Sequence, residues 1–110
     1  MPQVDLICKK IIARQYELSR HAMDQSILRD ISMAELEQAV TDRCELIEDY
    51  PGDKYGPSCL LVGYTRSGRP LHMQCGYPDR TLIKVITLYE PDPGRWVGFK
   101  VRRDDSEVDR

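Results

Sequence analysis

The chain lacks most of the features that tie a small protein to a ligand or a compartment. No apolar run approaches the ~20 residues that span a bilayer. The start has no signal-peptide core followed by a small-residue cleavage site. A cytoplasmic location without a membrane partner is therefore expected. Sixteen basic residues against eighteen acidic ones give a net charge of -2, so overall charge lends no support to a nucleic-acid footprint. Cys8, Cys44, Cys59 and Cys75 lie 36, 15 and 16 positions apart, without a Cys-x-x-Cys pair. The two histidines, His21 and His72, are 51 positions apart. Neither a closed zinc site nor a catalytic metal centre is expected from such spacing, and the four cysteines read as buried reduced thiols. The chain also has no glycine-rich phosphate loop ending in Lys-Ser or Lys-Thr, no dinucleotide fingerprint and no Gly-x-Ser-x-Gly elbow. No cofactor is expected.

What is present fits one α+β domain over 1–110. The chain is 110 residues long and 41% hydrophobic, enough for a single core. Charge is segregated along it. From Glu35 to Asp53 there are seven acidic residues and one basic residue, Arg43, whereas Arg95 to Arg103 holds four basic residues and no acid. Such blocks can serve as partner contacts or as solvated faces.

Helical spacing of Val4, Ile7, Cys8, Ile11 and Ile12 predicts a first helix that stops near Arg14. Ser19 is placed to cap a second helix running to about Arg29. Ser32 and Glu35 form a Ser-x-x-Glu capping box ahead of the stripe Leu36, Ala39 and Val40. Beyond Asp42 the pattern changes to strands. "CELIEDY", the continuous apolar "SCLLVGY", the alternating "LHMQCGY" and the β-branched "TLIKVITLY" are strand-like. "YPGDKYGP" and "TRSGRP" are turns between them, the second centred on Ser67 and Gly68. "EPDPG" ends the last long strand. "RWVGFKVRR" is expected as a final edge strand before a frayed tail, 104–110. The order predicts N-terminal helices packed on one face of a four- to five-stranded antiparallel sheet.

Three stretches resemble a family of small bacterial domains of unknown function. In "SRHAMDQSILRDIS", His21 and Ala22 are followed by Arg29 eight residues after the histidine, then by Ile31 and Ser32. "RPLHMQC" resembles the family's hydrophobic-His strand, and "VITLYEPDPGRW" its Ile-Thr-x-Tyr-x-Pro-Asp-Pro-x-x-Trp signature. One departure is Asp30, where a turn glycine is expected; aspartate tolerates the left-handed conformation better than most residues. The family is similar to the barnase, EndoU, colicin and RelE-like superfamily, many of whose members are toxins of toxin–antitoxin pairs that cut RNA without a metal. The resemblance implies the same α+β fold, an RNA substrate and a cognate antitoxin.

Metal-independent RNA cleavage needs a base for the 2′-hydroxyl proton, a cation for the transition-state charge and an acid for the leaving oxygen. His21 falls near the second position of its helix, where the positive end of the dipole favours the neutral ring that a base requires. The catalytic candidates are His21, Arg29, His72, Thr87 and Tyr89. The substrate-binding candidates are Arg20, Gln25, Lys84, Arg102 and Arg103. Gln25 lies one turn from His21 on the same side, whereas Arg29 lies two turns away. His72 shares the polar face of its strand with Gln74. Thr87 and Tyr89 share one face of theirs, and Lys84 points the other way unless the strand bulges. Each has a plainer reading: a capping-region histidine, a sheet-surface histidine, good strand formers, an Arg29 tied to the acidic segment, and solvated arginines. Trp96 reads as an anchor for the last strand rather than a base-stacking platform.

Two functions follow from these residues. One is a toxin-type, metal-independent endoribonuclease. The other is a non-catalytic protein-binding module on the same fold, in which net acidity and a single tryptophan replace a dense basic cleft.

Overall fold

A computed structural model describes residues 3–54 and 56–103; the expected tail at 104–110 lies outside them. Helix α1, Val4–Ile12, buries Ile7 and Ile11, which lie one turn apart on the same side. Strand β1, Tyr16–Leu18, leads directly into α2, Arg20–Leu28. Ser19 caps α2, its Oγ accepting the Ala22 N–H at 3.0 Å and donating to the Ile86 carbonyl at 2.7 Å. The same hydroxyl thus starts the helix and fastens it to the sheet. Asp30 has φ +53°, the left-handed turn that its position in the sequence predicts. Helix α3, Met33–Ala39, opens on the complete Ser32–Glu35 capping box, worth about 1 kcal/mol.

The main sheet contains β1, β2 (Cys44–Tyr50), β3 (Ser58–Tyr64), β4 (Pro70–Gly76) and β5 (Ile83–Tyr89), in the order β1-β5-β4-β3-β2. The α+β class and the helix-covered face are as expected, but the sheet is mixed. Strand β1 pairs with β5 in parallel, whereas the other pairs are antiparallel. Three residues before a cap carry no period by which a strand is recognised. The β3–β4 hairpin turns at Gly68, with φ +87° and its N–H on the Thr65 carbonyl. That geometry favours glycine.

The helical face holds the larger core. Ile7, Ile11, Leu36 and Ala39 meet Cys59, Leu61, Leu71, Met73, Cys75, Val85 and Leu88, all buried. Gly63 is required here, because a Cβ would stand 2.0 Å from the Ala39 carbonyl oxygen. All four cysteines are free, with Cys59 and Cys75 buried; burial pushes the Cys59 thiol up to about 12.

Residues 95–103 depart from expectation. They form a separate two-stranded hairpin, β6 (Trp96–Val97) and β7 (Val101–Arg102), rather than an edge strand of the main sheet. Gly98 and Phe99 turn it at φ +58° and +64°, closed by the Lys100 N–H on the Val97 carbonyl. Both positive φ values fit the two-residue turn that matches strand twist. Lys100 pairs with Glu45 at 3.0 Å and Arg102 with Glu48 at 2.7 Å. The basic and acidic blocks of the sequence therefore meet each other within the fold. Beneath them Leu60, Val62, His72 and Trp96 are buried, which is why β3 reads as a continuous apolar run.

Strand β5 also bulges. Cys75 pairs with Val85 but Gln74 with Thr87, leaving Ile86 extra. Val85 and Leu88, three positions apart, both enter the helix-side core. Lys84, Thr87 and Tyr89 consequently share the opposite face, the arrangement that strict alternation forbids.

Candidate functional site

Between the C-terminal end of α2 and the loop after β5 lies a cleft of about 790 Å³. Gln25 and Arg29 form the α2 wall, Glu90 to Arg95 the loop wall, with Tyr89, Arg69 and Trp96 between them. The loop is held by its own backbone: Asp92 Oδ1 accepts from the Gly94 N–H at 2.8 Å, and the Asp92 carbonyl accepts from Arg95 and Trp96. Arg103 reaches back to donate to the Pro93 carbonyl at 3.0 Å.

Gln25 fastens the α2 wall. Its Oε1 accepts the Leu88 N–H at 2.9 Å, satisfying a backbone donor just beyond the end of β1 pairing. Arg69 organises the floor. Its guanidinium donates to the carbonyls of Arg29 at 2.6 Å and Asp30 at 2.9 Å, which are orphan acceptors at the end of α2. It also pairs with Glu35 at 3.1 Å and Glu90 at 2.7 Å. The Ser32 N–H, followed by Arg69, holds the Glu35 carboxyl below its ordinary range. Arg69, rather than Arg29, ties α2 to the acidic segment. Nothing local marks Arg69 in the sequence, where it is one residue of a turn.

Arg29 and Arg95 are exposed, and neither guanidinium has an acidic partner among the described residues. Both line the cleft, Arg29 from the end of α2 and Arg95 from the loop after β5.

His72 is fully enclosed, not on an open polar face as the strand pattern suggests, because the β6–β7 hairpin covers it. Its Nε2 lies 2.6 Å from the Phe99 carbonyl oxygen and its Nδ1 3.1 Å from Tyr89 Oη. Trp96 packs edge-on against the ring, centroids 4.4 Å apart, the anchoring role expected of this tryptophan. Burial lowers the His72 pKa, outweighing the Phe99 carbonyl and Glu48, which favour the cation. Burial likewise pushes the Tyr89 phenol up to about 12.

The remaining candidates are dispersed. His21 is the second residue of α2 and exposed; it is not a lining residue of the cleft. Arg20 beside it is also exposed. Lys84 lies 3.8 Å from Glu17 and lines a second cavity with Leu82 and Ile86. Thr87 stands opposite Gln74. Arg102 stacks 4.6 Å over Trp96 while paired to Glu48. The structure thus brings Gln25, Arg29 and Tyr89 together, with His72 behind, and keeps His21 and His72 apart. Among the described residues, no group of three His, Cys, Asp or Glu side chains is placed to hold a metal, and no helix is long and apolar enough to cross a membrane.

The α2 wall and the floor lie within a recognisable sequence unit. The chain belongs to the DUF4258 family, a domain of unknown function matched over residues 18–90. The family region runs from the end of β1 through β5 and includes Gln25, Arg29, Arg69, Tyr89 and Glu90. Helix α1, the Pro91–Arg95 part of the loop and the β6–β7 hairpin lie outside it. No curated protein and no solved structure matches the chain.

Proposed function

We propose that the chain is a metal-independent endoribonuclease of toxin type, acting on cytoplasmic RNA that it holds in the cleft. The observation that carries this reading is that Arg29 and Arg95, two exposed guanidinium groups without an acidic partner among the described residues, line the same cleft, charge of the kind that binds a phosphodiester. His21 is the base that takes the 2′-hydroxyl proton as the 2′-oxygen bonds to phosphorus, with Arg20 next to it on the phosphate under attack, and solvent water protonates the 5′-oxygen as the P–O5′ bond breaks. Arg29 and Arg95 hold an adjoining phosphate farther along α2. His72, enclosed and bonded at both nitrogens, supports Tyr89 rather than exchanging protons with substrate.

Purified protein is expected to cut single-stranded or ribosome-bound RNA in EDTA, leaving 2′,3′-cyclic phosphate ends. His21→Ala stops cleavage, and Arg29→Ala weakens substrate binding. Regulated expression with a growth readout and 5′-end mapping makes the cellular test: arrest confined to wild type supports the reading, and intact RNA with folded protein overturns it.

A second reading is a non-catalytic protein-binding module. It is favoured by the outer side of α2, where Met23, Ile27 and Leu28 are 48%, 72% and 82% exposed, neighbouring apolar side chains of the kind that mark contact surfaces. Under this reading Ile27→Asp abolishes partner capture and His21→Ala changes nothing. Under the first reading the same surface is where a cognate antitoxin sits.

A further inference from the structure

Four cysteines, each on a different element, converge on the helix-side core. Cys8 lies on α1, Cys44 opens β2, Cys59 is on β3 and Cys75 on β4. Cys59 and Cys75 stand directly opposite each other and are fully buried, so an oxidant in water does not reach them while the fold is intact. Cys8 and Cys44 pack against the margin of the same core and are only partly buried. One turn after Val4 and beside Ile7 and Ile11, Cys8 belongs to the stripe that α1 turns to the sheet. There it meets Cys44 across the α1–β2 junction, where the Cys44 thiol donates a hydrogen bond to the Cys8 sulfur. That bond draws the Cys8 thiol below its ordinary range, against burial and the Asp5 carboxylate, and with burial it keeps the proton on Cys44. A sulfur that ionises readily and meets water, beside one that holds its proton, is the arrangement of an attacking thiol and its resolving partner.

We propose that Cys8 and Cys44 are a peroxide-responsive dithiol whose closure bolts α1 to the edge of the main sheet. Neither residue lines the cleft, so this inference is independent of the RNA reading. The Cys8 thiolate attacks one oxygen of hydrogen peroxide and the O–O bond breaks. The hydroxide that leaves takes up the Cys8 proton to give water, and Cys8 becomes a sulfenic acid. The Cys44 sulfur then attacks the Cys8 sulfur; the S–S bond forms, the S–O bond breaks, and the hydroxyl leaves as water with the Cys44 proton. Two thiols and one peroxide thus become one disulfide and two waters, and a thiol reductant reverses the change by exchange. The bond joins α1, outside the family region, to β2 within it, between residues 36 positions apart. A cross-link over that much chain restricts the unfolded state, so the oxidised form is the more stable one.

The test treats dilute full-length wild-type protein with hydrogen peroxide at neutral pH, removes the oxidant, labels the remaining thiols with a maleimide in denaturant and maps the peptides by mass spectrometry. Two of the four free thiols are expected to be lost, as a Cys8–Cys44 bridge that dithiothreitol reopens, and the oxidised form is expected to melt about 10 °C higher. Cys44→Ser prevents the bridge and leaves Cys8 as a sulfenic acid that dimedone captures, whereas Cys8→Ser leaves Cys44 a thiol under the same treatment. Four free thiols after treatment, a bridge between Cys59 and Cys75 or between two copies of the chain, or an oxidised form that melts no higher overturns the inference. So does oxidation of Cys44 in Cys8→Ser as fast as that of Cys8 in Cys44→Ser. The wild-type map decides the pairing even where a serine variant fails to fold.

Discussion

Leu60 and Leu61 are consecutive on β3 and both are buried, yet they sit in different surroundings. Leu61 faces the helical side and belongs to a continuous apolar cluster with residues of all three helices. Leu60 faces a surface that also carries His72, Trp96 and the Glu45–Lys100 and Glu48–Arg102 pairs, under a hairpin of two-residue strands. The helical face is closed by packing, with neighbours fixed from several elements at once. The hairpin face is closed by hydrogen bonds, ring contacts and exposed ion pairs, and the cleft opens at its margin.

The largest effect is expected where helix and sheet touch without a side chain between them. Gly63→Ala places a methyl against the Ala39 carbonyl oxygen, 2.0 Å away before relaxation. Since both sides are backbone, destabilisation above about 3 kcal/mol is expected, read as lost soluble yield or a collapsed melting transition. Next comes the direct comparison of neighbours. Leu61→Ala should cost about 4 kcal/mol and Leu60→Ala about 2 kcal/mol, because a small hairpin can settle into the vacated space and three packed helices cannot. Urea unfolding measures both, and equal losses would erase the distinction between the faces.

Acid should then act on the hairpin face first. The His72 pKa is lowered from 6.5 in the fold, so the unfolded chain binds more protons and stability falls as pH drops below about 6.5 toward the folded value. Burial alone would raise the Glu48 carboxyl, but hydrogen bonds from Arg102 and Tyr50 hold it below 4.5, which places its loss in a second, more acidic window. Thermal melts from pH 7 to pH 5 should decline for wild type and flatten in His72→Asn. The smallest effect belongs to Glu48→Gln. Arg102 is well exposed, so less than about 1 kcal/mol is expected, together with a weaker dependence of the melt on salt.

The local elements were legible because their causes are local. Ser19, and Ser32 with Glu35, announce helix starts through hydroxyl and carboxylate groups that satisfy the first backbone donors. The β-branched run ending at Tyr89 and the apolar run before Tyr64 announce strands. The left-handed turn at Asp30 was legible only through the family resemblance, which expects a turn glycine there; aspartate is a residue type that tolerates the conformation. Strand β1 was not, since its pairing partner lies 67 positions away at Ile83 and three residues show no period. The Ile86 bulge was not legible either, so the common face of Lys84, Thr87 and Tyr89 stood only as an exception to alternation. Of the candidate site, Gln25, Arg29 and Tyr89 converge on the cleft as individual residues. Arg69 was missed because its four partners come from the end of α2, the start of α3 and the end of β5.

The sequence by itself determined the α+β class, the helix caps, the long strands, and a family region whose histidine, arginine and tyrosine draw attention to α2 and β5. Those properties follow from side-chain periodicity and from hydrogen bonds spanning a few residues. Only the tertiary structure decided which charges remain free and which protons point where. Two pairs join the acidic and basic blocks once the hairpin folds over β2, His72 is sealed by residues 24 to 27 positions away, and Arg29 and Arg95 are left lining one cleft without an acidic partner among the described residues. Such pairings depend on which distant surfaces are brought within a few ångströms, and charge and hydrogen-bond chemistry are decided at that distance.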